Sequence, residues 1–171
     1  MTKSLNNSTT PNTSLITTTS PVNQFDDKTL NITIIKDIID NKITDEKNIS
    51  TDWRELKGDF ISKHDIREEK DGVLFIGASF LSTEDDGAEF VTTNDGIAIT
   101  DDNGDKIVKR VGSNINQYHL LTLDYDDGMT VDEAKEHFSD LEYLGYTSHN
   151  HKKDGIEKFR LVFPLTEPVT P

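Results

Sequence analysis

The chain has 171 residues, no cysteine, 33% hydrophobic and 29% charged residues, and a formal net charge of −14. This length suits one domain with a tail rather than two domains, and the missing cysteine excludes disulfides and thiolate zinc sites. So acidic a chain also lacks a broad electrostatic surface for nucleic acid, whose phosphates are met mainly by Lys and Arg. No apolar run is long enough to span a membrane, and no basic segment precedes an apolar signal stretch, so a soluble cytoplasmic protein without a membrane partner is expected.

Residues 1–24 are Ser, Thr and Asn with scattered Pro and no visible period. They read as a disordered low-complexity tail before a domain over 25–171. Asn-X-Ser/Thr sequons in this tail are a by-product of its composition. From Leu30 to Ile43, LNITIIKDIIDNKI places Ile34, Ile35, Ile38 and Ile39 at helical spacing. Their β-branching leaves a strand open, but a helix is expected. In STDWRELKGDFISK, Trp53, Leu56 and Phe60 are the core anchors of a helix with Ser50 or Thr51 as N-cap and Gly58 as stop.

Residues 72–111 read as an antiparallel meander of short strands: VLFIGASFL, then FVTT, IAIT and KIVKRV separated by Asp95-Gly96 and Asn103-Gly104. Asp101, Asp102, Asn103 and Asp105 lack the spacing and closing Glu of a calcium loop, so a solvated hairpin turn is expected. Lys109, Arg110 and Asn114 are either the first polar groups of a site or a solvated edge.

The strongest pattern runs from Tyr118 to Leu165. Along the strand ending in LLTLDYDDG, Leu121, Leu123 and Tyr125 point to one face and Thr122, Asp124 and Asp126 to the other. Paired carboxylates at a strand end suit a hard divalent cation with oxygen ligands. Asp127 and Gly128 end the strand. Thr130 with Glu133 forms a capping-box signature, and Val131, Ala134, Phe138 and Leu141 recur at helical spacing over the apolar face. Tyr146–His151 and Lys158–Leu165 then read as a hairpin. With Asp154-Gly155 at its turn, His149 falls opposite Arg160 and His151 opposite Lys158, while Phe159, Leu161 and Phe163 face the core. The connecting segment, with Lys152, Lys153, Lys158 and Arg160, is locally basic. His64, His119 and His137 read as structural or surface residues.

In order and spacing, LLTLDYDDG, GYTSHNH and KFRLVFPLTEPV resemble the catalytic core of the archaeo-eukaryotic primase superfamily, in the version found in phage and plasmid primase-polymerases. The resemblance covers residues 118–169. It implies an α+β fold with a mostly antiparallel sheet and an RNA-recognition-motif-like half. It also implies metal-dependent nucleotidyl transfer, for primer synthesis or DNA polymerisation on a single-stranded DNA template, with nucleoside triphosphates as substrates. Asp124 and Asp126 match the motif that holds catalytic Mg²⁺ or Mn²⁺, and Thr147, Ser148 and His149 match the nucleotide-binding motif. Arg160, with Lys158 nearby, takes the place of a basic strand residue facing the pocket, and His151 matches a recurrent second histidine. A third carboxylate, expected after the Phe-Pro-Leu strand, has no counterpart before Pro171. A longer parent carrying a helicase region, or a truncated relative, is therefore expected.

The residues also support two other classes. His-X-His near acids resembles the metal pair of rolling-circle nicking enzymes or a metal-dependent nuclease, although no tyrosine follows Tyr146. A non-catalytic nucleotide- or protein-binding module on a truncated primase fold is the other. Grip on single-stranded template takes stacking aromatics; Tyr118, Tyr143 and Tyr146 are the candidates, with core or surface roles as the alternative.

Overall fold

The computed structural model describes residues 15–17, 25–35, 39–62, 74–148, 150–152 and 154–171. In chain order the elements are β1 (Leu15–Thr17), β2 (Thr29–Ile35), β3 (Lys42–Ile43), β4 (Asn48–Asp52), α1 (Trp53–Ser62), β5 (Leu74–Ile76), β6 (Ala78–Phe80), β7 (Val108–Lys109), β8 (Ile115–Tyr125), α2 (Val131–His137), β9 (Leu144–Thr147) and β10 (Phe159–Val169). Five strands form a sheet in the order β1-β9-β10-β8-β6, three form β4-β2-β5, and β3 pairs with β7. The fold is α+β, and its ladders are antiparallel.

The first part of the Ile-rich run expected as a helix is instead β2, the central strand of the three-stranded sheet; its end is β3, and Ile38 lies outside the described residues. Strand β2 pairs with β4 on one side and β5 on the other, and buries Leu30, Ile32 and Ile35. β-Branched residues suit such a doubly paired strand because their restricted χ1 costs little there. Ile39, assigned to the helical face, is 81% exposed. Strand β1 lies inside the stretch read as tail; Ile16 is buried opposite Gly145, and the remainder of residues 1–24 lies outside the described residues.

Helix α1 begins as expected but is capped one residue later. Asp52 Oδ1 accepts the Glu55 N–H at 2.7 Å, and the helix continues through Gly58. Trp53 and Leu56 are buried anchors; of Phe60 only the backbone is described. Lys57 on this helix reaches both Asp26 and Glu142 at 2.7 Å, and Trp53 Nε1 donates to the same Glu142 oxygen at 2.7 Å. Burial opposes the charge on Lys57, but bonds to the two acids outweigh it and raise its pKa.

The apolar run VLFIGASFL is divided at Gly77, with β5 joining the sheet of β2 and β6 the sheet of β8. A Cβ at Gly77 would stand 2.6 Å from Leu120 Cβ, so only glycine allows the chain to cross there. The amides of His119 and Leu120 both donate to the Gly77 carbonyl, at 2.9 and 3.0 Å. This bulge buries both side chains and breaks the strand's alternation.

The expected meander after β6 is reduced to the bridges Phe90–Val108, Thr92–Ala98 and Thr100–Lys106. Val91 N–H donates to Ile107, Ile107 to Ile99 and Ile99 to Val91, at 2.9, 3.0 and 2.8 Å. Three chain passes thus share hydrogen bonds in a ring, each pairing with both of the others. The Asp95-Gly96 and Asn103-Gly104 turns form with φ of 79° and 89° at their glycines. Asp101 accepts the Asn103 and Asp105 amides, as expected of a hairpin turn.

Both faces of the five-stranded sheet are partly covered. Leu120, Val162 and Leu144 pack with Leu30, Ile32, Trp53 and Leu56 on the α1 side. Phe159, Leu161, Phe163 and Tyr143 pack with Ala134, Leu123, Tyr125 and Phe138 on the α2 side. The expected capping box of α2 is present. The helix has only seven residues and its cluster reaches Leu123 and Tyr125, leaving Leu121 47% exposed rather than packed.

Candidate functional site

The α1 face of the five-stranded sheet is sealed at one end and open at the other. Buried Val162 lies opposite Thr122 and Leu144, but two residues earlier on β10 Arg160 lies opposite Asp124 on β8 and Tyr146 on β9. Side chains alternate along a strand, so these residues share the same face beyond the reach of α1. The Arg160 and Asp124 side chains remain 35% and 47% exposed.

Arg160 Nη2 donates to Asp124 Oδ2 and Nη1 to the Tyr146 hydroxyl at 3.3 Å. Its guanidinium carbon lies 5.9 Å from the Tyr146 ring centroid, in cation–π range. Burial works against the cation, yet the bond to Asp124 and the interaction with Tyr146 outweigh it and raise the Arg160 pKa. The result is a fixed cation beside an accessible carboxylate. Asp126 is exposed in the turn after β8, where Gly128 adopts a φ of 79°.

The expected hairpin register is corrected here. Thr147 pairs with Phe159 and Tyr146 with Arg160, so His149 does not oppose Arg160 along the ladder. Asp154-Gly155 is not a two-residue turn between long strands. The Lys152 N–H closes onto the Ile156 carbonyl at 2.9 Å, with Lys152 itself at a φ of 58°, and pairing resumes only at Phe159. His149 and Lys153 lie outside the described residues, as does His64. His151 meets the main chain of Lys158, whose N–H lies 3.1 Å from His151 Nδ1.

The remaining candidates separate. Ser148 is half-buried, with its amide donating to the Lys158 carbonyl at 2.8 Å. Thr147 is buried opposite Phe159, on the α2 side, and so is not brought to Arg160. Lys158 Nζ lies 3.4 Å from Asp154. Asn114 is fully buried; its amide group donates to Glu89 and Lys109 carbonyls and its oxygen accepts the Glu89 N–H. It is therefore a structural clasp rather than a site residue. Tyr143 is buried and Tyr118 partly exposed, so of the three tyrosines only Tyr146 joins the Asp124–Arg160 pair.

No protein-family model, curated protein or solved structure matches the chain. The donor chemistry must therefore stand by itself. Asp124 and Asp126 are exposed oxygen donors, a set that fits Mg²⁺, which commonly takes one or two carboxylates and completes its shell with water and substrate phosphate. Among the described residues no group of three or more His, Cys, Asp or Glu side chains gathers into a protein-only metal cage. No described helix is long and apolar enough to cross a membrane.

Tyr146 as the seat of Arg160 was missed because the assumed turn set the hairpin register wrongly. Glu157 was also missed: it accepts the Val131 N–H at 2.6 Å from across the fold. An isolated acid in a charged loop carries no sequence signal for such a long-range cap.

Proposed function

We propose that the open end of this sheet binds a nucleoside triphosphate with Mg²⁺ or Mn²⁺, in a primase-polymerase-like domain that carries out primer synthesis or DNA polymerisation on a single-stranded DNA template. The observation that carries this reading is the cross-strand Asp124–Arg160 pair, exposed beside Tyr146 and followed by Asp126. Asp124 and Asp126 would hold the cation, which when bound stabilises the attacking and leaving oxygens of phosphoryl transfer. Arg160 supplies a planar, permanently charged fork for phosphate oxygens, and Tyr146 supports that fork from β9. Phosphate takes over the role that Asp124 plays for Arg160, which frees the carboxylate for the cation. The motif order and the RNA-recognition-motif-like arrangement implied by the resemblance add to this reading. A replicative helicase as partner belongs to the same proposal.

A nucleotide-binding module without turnover is the second reading, favoured by the direct Arg160–Asp124 bond, which occupies the carboxylate that a catalytic cation would need. Both are tested by titrating the folded chain with ATP in the presence and absence of Mn²⁺. Binding that requires Mn²⁺ and is lost in Asp124→Asn/Asp126→Asn and in Arg160→Ala supports the site. Nucleotide incorporation on a primed single-stranded template then separates the two readings. A folded chain that fails to bind MnATP sinks both.

A further inference from the structure

Main-chain hydrogen bonds organise the described part of the connection between β9 and β10. The Ser148 amide donates to the Lys158 carbonyl at 2.8 Å, the His151 amide to the Ser148 carbonyl at 3.0 Å, and the Lys152 amide to the Ile156 carbonyl at 2.9 Å. These close the connection on itself but do not fix where it lies. One side chain does both. Glu157 Oε1 pairs with Lys152 Nζ at 3.0 Å within the connection, while its Oε2 accepts the Val131 N–H at 2.6 Å, at the start of α2.

A helix cap alone would not require this arrangement. Thr130 and Glu133 already form a reciprocal capping box, which satisfies the start of α2 from its own sequence. A carboxylate brought from the far connection spends its bond on joining two segments. One follows directly from Asp124 and Asp126; the other lies between Ser148 and Lys158. The Val131 amide bond and the Lys152 bond both hold the Glu157 carboxyl below its ordinary range, against a smaller opposing effect of burial.

We propose that Glu157 is a positioning residue whose carboxylate latches the β9–β10 connection onto the segment after Asp126, fixing where that connection lies beside the acidic end of the site. Its relevance to nucleotide binding rests on the reading given above; the latch itself does not.

Amide hydrogen exchange on the full chain tests the latch without any ligand. In Glu157→Ala, the Val131 amide and the amides of His151 and Lys152 should exchange at least about tenfold faster together, while Leu123 and Leu161 in the sheet keep their protection. Glu157→Gln retains an oxygen acceptor for Val131 and should recover the Val131 protection but not that of Lys152. After correction for intrinsic exchange, lowering the pH through the Glu157 titration should loosen both segments in the unmodified chain, while in Glu157→Gln only the helix start, where Glu133 of the capping box also titrates, should still respond and Lys152 should not. Acceleration at Val131 alone would overturn the proposal, since Glu157 would then be only a cap; so would unchanged exchange at all three amides. In a chain that binds MnATP, Glu157→Ala should also raise the Kd several-fold, and an unchanged Kd overturns the positioning role. Absence of MnATP binding by the unmodified chain removes the nucleotide reading instead, while the exchange data still decide the latch.

Discussion

Under α1, Lys57 lies between Asp26 and Glu142 with side-chain exposures of 23%, 10% and 7%, whereas Arg160 and Asp124 on the same side of the sheet retain 35% and 47%. Both are cation–carboxylate clusters supported by an aromatic residue, Trp53 in one and Tyr146 in the other. The difference lies in what each carboxylate can turn to if its cation leaves. Glu142 has a buried second oxygen with no hydrogen-bond partner among the described residues, so losing Lys57 would strand a charge away from water. Asp124 would meet solvent or a cation, so its pairing can be exchanged at little cost. The structural cluster and the proposed functional one thus use the same chemistry on either side of the edge of α1.

The contrast is sharpest where the sealed end is broken. Trp53→Ala removes a fully buried indole and should cost about 3–5 kcal/mol, read as a drop in the urea midpoint. Glu142→Gln keeps the shape but removes the charge facing Lys57, and should cost about 1–3 kcal/mol in the same assay. If both variants unfold like the unmodified chain, the sealed cluster does not hold α1 to the sheet.

A pH-dependent loss comes next. His119 is buried, with no hydrogen-bond partner for either ring nitrogen among the described residues; burial, and then the nearby Lys28 charge, lower its pKa from 6.5. A lowered folded-state pKa means that the unfolded chain takes the proton first. Stability from this residue is therefore complete above pH 6.5 and lost as the pH falls from there through the folded value. His119→Leu should flatten that slope in a denaturation series from neutral to mildly acidic pH, and a slope left intact would assign it to other groups. The smallest stability effects are expected at the open end. Asp124→Asn and Arg160→Ala should each shift stability by about 1 kcal/mol or less while abolishing MnATP binding. A large loss of stability with binding retained would invert the comparison.

The part of the site carried by one strand was legible in the sequence. Asp124 near the end of β8 and Asp126 just after it stand where expected, the Thr130–Glu133 box marks α2, and Phe159, Leu161 and Phe163 alternate correctly into the core. What failed was relation between strands. The Asp-Gly signal at Asp154-Gly155 is strong but local, and a positive φ at Lys152 moved the closure of the loop, which changed the partner of Arg160. The Ile-rich β2 was ambiguous because Ile residues at helical spacing also satisfy a buried strand; only the partners on either side decide. The Arg160–Tyr146 seat and the Glu157 bond to Val131 depend on tertiary placement and leave no periodic trace.

Gly77 has a consequence for how the molecule comes apart. It joins β5 and β6 with no residue to spare, and its carbonyl takes both bulge amides of β8, so the three-stranded and five-stranded sheets share one backbone crossing. Neither sheet has slack with which to melt while the other stays folded. Unfolding should therefore pass through one cooperative transition in which the two sheets behave as a single foldon. A side chain at position 77 would act on that cooperativity: by forcing Leu120 away, it would loosen the seam and let the β2 sheet open ahead of the sheet that carries Asp124.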